Sequence, residues 1–294
     1  MSSARATRHQ RLANGEYIAL LEAHAKLKSP TPEQEAWAGW ACAHLGRFVE
    51  HSEHLHRART RGFEAALLAN VYAFSGETQR ALEVMQGINE HALDALGRAM
   101  LERARGAISY EQGWYDRAVV HVERAWDLAS GLTEATPFLP GIARLAGPVL
   151  SGAGFDQRAI PIFTRAIEMA SRNPVGRAEL MVIRALAFIN TGAFDQAKRD
   201  LKTITSENVS PAFALILSSI RAEFSRAQGA DQKATTRLLD VADEARKSNA
   251  LEVEAFAHLN LCALATNGMA RSYLDRARRL TPTSNPSANA LLSL

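Results

Sequence analysis

This sequence predicts an all-α fold, a solenoid of about eight stacked antiparallel helix pairs, and three observations predict it. First, five segments align: SGETQRALEVM from Ser75, QGWYDRAVVHV from Gln112, AGFDQRAIPIF from Ala153, TGAFDQAKRDL from Thr191 and QGADQKATTRL from Gln228. Each carries a glycine, often an aromatic soon after it, then a small residue and an apolar residue four positions further on. Second, the positions four and seven beyond the small anchor are almost all apolar or small, and those offsets place all three on one helical face. Third, a second apolar-periodic segment precedes each glycine, as in FEAALLANVYAF at 63–74. The repeating unit is therefore helix, glycine turn, helix, and no such unit buries its apolar face without a stacked neighbour.

In chain order, the anchors are Leu20, His51, Ala81, Ala118, Ala159, Ala197, Ala234 and Ala270, spaced by 30 to 41 residues. The first unit has only a short leading helix within residues 1–13. The second has Gly46 at its turn and Phe48 as its aromatic. Asp116, Asp156 and Asp195 suit the starts of helices that follow a glycine turn. SGLTEATPFLPG at 130–141 reads as an extended loop. The unit after it carries Pro148 and Pro161 within helical patterns, which predicts a kink there. NPSANALLSL has a capping asparagine, Asn285, before a proline at the first helical position. One repeat domain is expected over 1–280, with 281–294 as a tail or capping helix.

The pattern resembles the tetratricopeptide repeat family along nearly the whole chain. In the third unit Leu68, Ala69, Tyr72, Gly76, Ala81 and Met85 stand where that family places leucine, a small residue, tyrosine, glycine, alanine and a large apolar residue. Pro282, twelve after Ala270, matches its terminal proline. The central spacings are longer than the usual 34 residues. His51 and Leu20 replace the anchor alanine, and Ala270 follows its glycine early. The resemblance implies a right-handed superhelix whose first helices line a concave groove that holds a peptide or partner helix. Its groove positions correspond to Ala36, Trp40, Ala43, Phe63, Ala66, Asn70 and Phe74, followed by Arg103, Ala107, Tyr110 and Arg144. Trp40, Phe63 and Tyr110 are of the type that anchors interfaces.

One regularity lies outside the family pattern. Eight residues before Gly113, Gly152, Gly192 and Gly229 stand Arg105, Arg144, Arg184 and Arg221. The four form a ladder. Facing a groove, it would grip carboxylates or phosphates with planar forks of donors. Lying between helices, it would pair with acids of neighbouring units and cover apolar surface with its stems. Gly154 also fits the spacing to Ala159, which leaves the register of Arg144 open between two glycines.

Composition bounds the rest. The 294 residues are 47% hydrophobic and 22% charged, with a net charge of +3, which is too small to imply nucleic-acid binding by charge alone. Two cysteines, Cys42 and Cys262, and the lack of a charged-then-apolar leader suggest a reducing cytoplasm. LMVIRALAFI at 180–189 is too short, and with Arg184 too polar, to span a bilayer. HSEHLHRARTR at 51–61 places His51 and His54 three apart, with Glu50 one turn before His54. Only His44 or Glu50 is near in sequence to complete a ligand set. The stretch therefore reads as scaffold, with His51 turned into the helix pair and His54 and His56 on its outer side. No metal or cofactor is expected. No GxSxG, GxxxxGK[ST], HExxH or CxxC motif is present, and Glu102, Glu179 and Glu223 are scattered rather than paired, so no enzyme is expected.

The leading expectation is a cytoplasmic adaptor that holds a protein or peptide, with an acidic peptide among the candidates. The alternative is a ligand- or peptide-responsive regulatory domain acting with a transcription regulator or other partner, in which self-association belongs to the response. A third reading is an acidic or nucleic-acid ligand along the arginine ladder.

Overall fold

The computed structural model describes residues 11, 14–45, 50, 53–54, 62–74, 77–136, 138–170, 172–248, 250–265 and 268–280. Among these residues there are fourteen α-helices and no strand. They are α1 (Tyr17–Ala25), α2 (Pro32–His44), α3 (Phe63–Phe74), α4 (Thr78–Gln86), α5 (Ala95–Glu111), α6 (Tyr115–Ser130) and α7 (Leu139–Gly152). Then follow α8 (Asp156–Met169), α9 (Pro174–Asn190), α10 (Phe194–Thr203), α11 (Pro211–Ala227), α12 (Asp231–Lys247), α13 (Leu251–Leu264) and α14 (Met269–Leu280). The fold is an all-α array of helix pairs. The first unit's leading segment, most of the second unit's second helix and residues 281–294 lie outside the described residues.

The turns explain the pairing. Gly113, Gly154, Gly192 and Gly229 have φ of 73° to 76°, a left-handed conformation that glycine takes without a Cβ clash. Each following helix starts with an acid in its first turn, Asp116, Asp156, Asp195 or Asp231, where a negative charge meets the helix dipole. Gly152 is the last residue of α7, so the turn glycine of that unit is Gly154. The anchors Ala81, Ala118, Ala159, Ala197 and Ala234 are fully buried, as the repeat register predicts. Helices α7 and α8 run through Pro148 and Pro161, both on exposed faces.

Two compact units are present. The first comprises the chain up to Tyr110 with Trp114–Gly154 and Thr164–Arg177. In it α1 packs on α2, α2 on α3, α3 on α4 and α6 on α7. Within 130 to 141, Thr133–Ala135 form a short 3-10 turn, and Phe138 stands immediately before α7. The Phe138 ring is fully buried against Trp37, Trp40 and Phe63, with centroids 5.5 to 5.6 Å away. Burial of one such ring contributes about 1.5–3 kcal/mol. Elsewhere in this unit Asn173 is buried, accepts from the Gly176 N–H at 2.9 Å and lies against Gly15. A Cβ at Gly15 would come within 2.6 Å of Asn173 Oδ1.

The second unit comprises Glu111–Gly113, Phe155–Phe163 and the chain from Ala178 onward. Ala178, Val182, Ala185 and Ile189 of α9 form one stripe, which packs with Ala197 and Leu201 of α10 and with Phe213, Leu217 and Ile220 of α11. A second cluster joins Ala222 of α11, Leu238, Val241 and Ala242 of α12, and Ala257 and Leu261 of α13.

Candidate functional site

Of the groove positions expected in the first unit, Trp40, Phe63, Asn70 and Arg103 do converge, but they are buried. Asn70 donates to the carbonyls of Ala66, at 2.9 Å, and of Met100. Its Oδ1 accepts from Arg103 Nη1 at 2.7 Å, and Arg103 Nε donates to the Gly141 carbonyl at 3.0 Å. The Arg103 guanidinium lies 5.5 Å from the Trp40 ring centroid. Gly141 is glycine for space: a Cβ there would stand 3.3 Å from Trp40 Cζ2. Burial, and then the charge of Arg144, push the Arg103 pKa down to about 9, so the group remains charged at neutral pH. An open peptide groove at these four residues is thus corrected: Phe138 and the start of α7 fill it. Ala36, Ala66 and Ala107 are buried too. Tyr110 is half-buried, edge-on to Tyr115 at 5.7 Å, and Arg144 is half-buried. The side chains of Ala43 and Phe74 lie outside the described residues.

The arginine ladder divides. With Gly154 as the turn, eight residues back is Ala146, and Arg144 drops out of register. Arg105 donates to Glu102 at 2.9 Å and pairs with Glu90, whose carboxyl is held below the usual range first by that hydrogen bond. Glu102 also meets His121 Nδ1 at 2.7 Å. Arg184 makes a two-point contact with Asp200, Nε to Oδ2 and Nη2 to Oδ1, both at 2.8 Å. Arg184 thus ties α9 to α10, and Arg105 ties α5 to the short 3-10 turn (Glu90–Ala92) before it. Arg221 differs: its Nη2 donates to the carbonyls of Leu201, at 3.2 Å, and Ile204, at 2.7 Å, at the C-terminal end of α10.

Arg221 also lines a pocket of about 300 Å³ with Leu215 and Ser218 of α11 and with Arg237, Asp240, Val241 and Glu244 of α12. Arg237 Nη1 donates to the Arg221 carbonyl at 3.3 Å. Burial first, and then the neighbouring Arg237, push the Arg221 pKa below the ordinary arginine range. Among the described residues, neither Arg221 nor Arg237 has a carboxylate within 4.0 Å, whereas Arg105 has two, Glu90 and Glu102, and Arg184 has Asp200. Two like charges with no carboxylate at ion-pair distance favour an anion between them, and the pocket's own acids, Asp240 and Glu244, stand beyond that distance. The ladder register pointed to Arg221 but not to Arg237, which is on the second helix of its pair.

His54, expected on the outer side of its helix, is turned inward, with Nδ1 2.6 Å from Glu35 Oε2. His51 and His56 lie outside the described residues. Glu179 accepts from Ser210 Oγ at 2.6 Å and Glu223 from Arg226 Nε at 2.7 Å, which accounts for two of the scattered acids. No helix is long and apolar enough to cross a membrane among the described residues.

The class of protein is therefore an all-α fold of repeated helix pairs. The chain is similar to the crystal structure of a tetratricopeptide repeat protein from Parabacteroides merdae, at 15% identity and a TM-score of 0.49, over 89% of this chain and 97% of that one. No protein-family model and no curated protein matches the sequence.

Proposed function

We propose that the protein is a non-enzymatic binding module that holds a protein or peptide partner by an acidic side chain docked between Arg221 and Arg237. The observation behind this reading is the pair of guanidiniums sharing a pocket of about 300 Å³ with no carboxylate within 4.0 Å among the described residues. A planar fork of donors suits a carboxylate. Asp240 and Glu244 on the same pocket wall set the ligand's charge density. They would repel a run of phosphates, while a single carboxylate beside the arginines, flanked by a basic or neutral residue, satisfies both halves of the pocket. This favours an acidic peptide over nucleic acid.

The test is affinity capture from the native cell lysate with the wild-type chain and the Arg237→Gln variant, at low and high salt, read by mass spectrometry. A protein recovered by the wild type and lost with Arg237→Gln is the expected result. Equal recovery by both would place the partner elsewhere, and nucleic acid recovered only at low salt would replace the peptide reading with a polyanion.

A further inference from the structure

We propose that His24, Glu35 and His54 bind a divalent transition-metal ion. The three come from separate places: His24 from the last turn of α1, Glu35 from the first turns of α2, and His54 from a helical turn beyond α2. One donor atom from each lies within 4.8 Å of the others. His24 Nε2 and His54 Nδ1 stand 3.4 and 2.6 Å from the same oxygen, Glu35 Oε2. Two ligands at zinc bond lengths in a tetrahedral site are about 3.3 Å apart, so the His24–Glu35 spacing already fits, and His54 needs to withdraw by less than about 1 Å. The imidazole rings meet edge to face at 4.8 Å between centroids, so their nitrogens converge on the carboxylate.

Burial and charge support the same reading. Glu35 is 4% exposed at its side chain, and His24 and His54 are 11% and 16% exposed. A buried carboxylate needs a cation or strong donors, and a divalent ion supplies the charge. Both histidines line a cleft of about 650 Å³ whose walls also carry Glu22, Glu50 and Lys28. Water from this cleft would complete the shell of an ion held by the two histidines that line it. Two neutral imidazoles and one carboxylate are a nitrogen-rich, oxygen-containing set that prefers zinc-like ions to magnesium or calcium. The ligands are 11 and 19 positions apart, which no local motif records. The proposal does not depend on the arginine pocket, which belongs to the other compact unit.

The experiment is calorimetric titration of the chelator-stripped full chain with zinc, alongside the visible spectrum of the cobalt-loaded protein. His24→Gln, His54→Gln and Glu35→Gln are compared with the exposed control His91→Gln, and circular dichroism verifies that each variant is helical. The expected result is one equivalent of zinc bound by the wild type and the control, with at least tenfold weaker binding in each site variant. A four- or five-coordinate cobalt spectrum should disappear with His54→Gln, and zinc should raise Tm in the wild type but not in His54→Gln. The proposal is overturned by the absence of stoichiometric binding, which leaves a hydrogen-bonded His–Glu–His cluster. It is equally overturned if binding survives His24→Gln and His54→Gln but is lost when His44, His51 and His56 are replaced.

Discussion

Helices α5 and α11 each have seventeen residues and hold the same place in the repeat, the first helix of a pair, yet they meet different surroundings. Twelve residues of α5 are buried, including the charged Glu102 and Arg103. Among the described residues of α11 six are buried, mostly along one stripe. Arg105 and Arg221 occupy one register, eight residues before a turn glycine. One is neutralised by Glu90 and Glu102, and the other faces a pocket beside a second arginine. The repeat register sets which residues look out from a helix, and what covers them is decided by residues from other repeats.

The largest effect expected from breaking this contrast is at Phe138, whose ring covers the inner aromatics of the first unit. Phe138→Ala should cost about 3–5 kcal/mol in denaturant unfolding. A loss below about 1 kcal/mol would mean that the enclosure of Trp40 and Phe63 has another origin. Next is Arg103→Met, which orphans Asn70 Oδ1 and the Gly141 carbonyl at about 1–3 kcal/mol for each acceptor. Adding Asn70→Leu should restore part of that loss, and a double-mutant cycle with no coupling would refute a shared network.

Smaller effects should separate the two arginines of the pocket. Arg221→Gln should lower stability by about 1 kcal/mol through its two carbonyl contacts, while Arg237→Gln should stay within about 0.5 kcal/mol. If Arg237→Gln proved the more destabilising, the pocket would be a structural joint rather than a docking point. The smallest expected effect is a pH dependence in the second unit. His258 is buried, 3.6 Å from Glu254 and stacked on Tyr273. Burial, with Arg276 and Arg246, pushes its pKa down against the pull of Glu254. The folded state then binds fewer protons than the unfolded one, so this stability is present above about pH 6.5 and falls as the pH drops through that value. Tm between about pH 7.5 and about 5.5 should decline more in the wild type than in His258→Gln, and parallel curves would remove His258 from the account.

The pair architecture was legible because it rests on local periodicity. Ala118, Val122 and Ala125 are all fully buried, as offsets of four and seven require. The enclosure of Trp40 was not legible, because it depends on Phe138, 98 positions later, in a segment that read as a loop. The ladder was visible as spacing, but its division was not: Asp200 and Glu90 neutralise two members, and Arg237 adds a charge beside a third. The His24–Glu35–His54 convergence was legible only at His54, whose spacing from His51 drew notice; its partners Glu35 and His24 stand 19 and 30 positions earlier, beyond the reach of a local motif.

The contact between Gly15 and Asn173 bears on how the chain acquires its structure. Repeat arrays whose units touch only their neighbours can grow stepwise from any point. Here a turn before α1 fits against a side chain 158 positions later, so the first compact unit closes late. Such non-local closure slows folding relative to helical bundles with local contacts. At ribosomal speeds of about 5–20 residues per second, Gly15 waits on the order of 8–30 s for Asn173 to be made. During that interval α1 to α4 can already pack on one another, and the contact that closes the unit is the last to form.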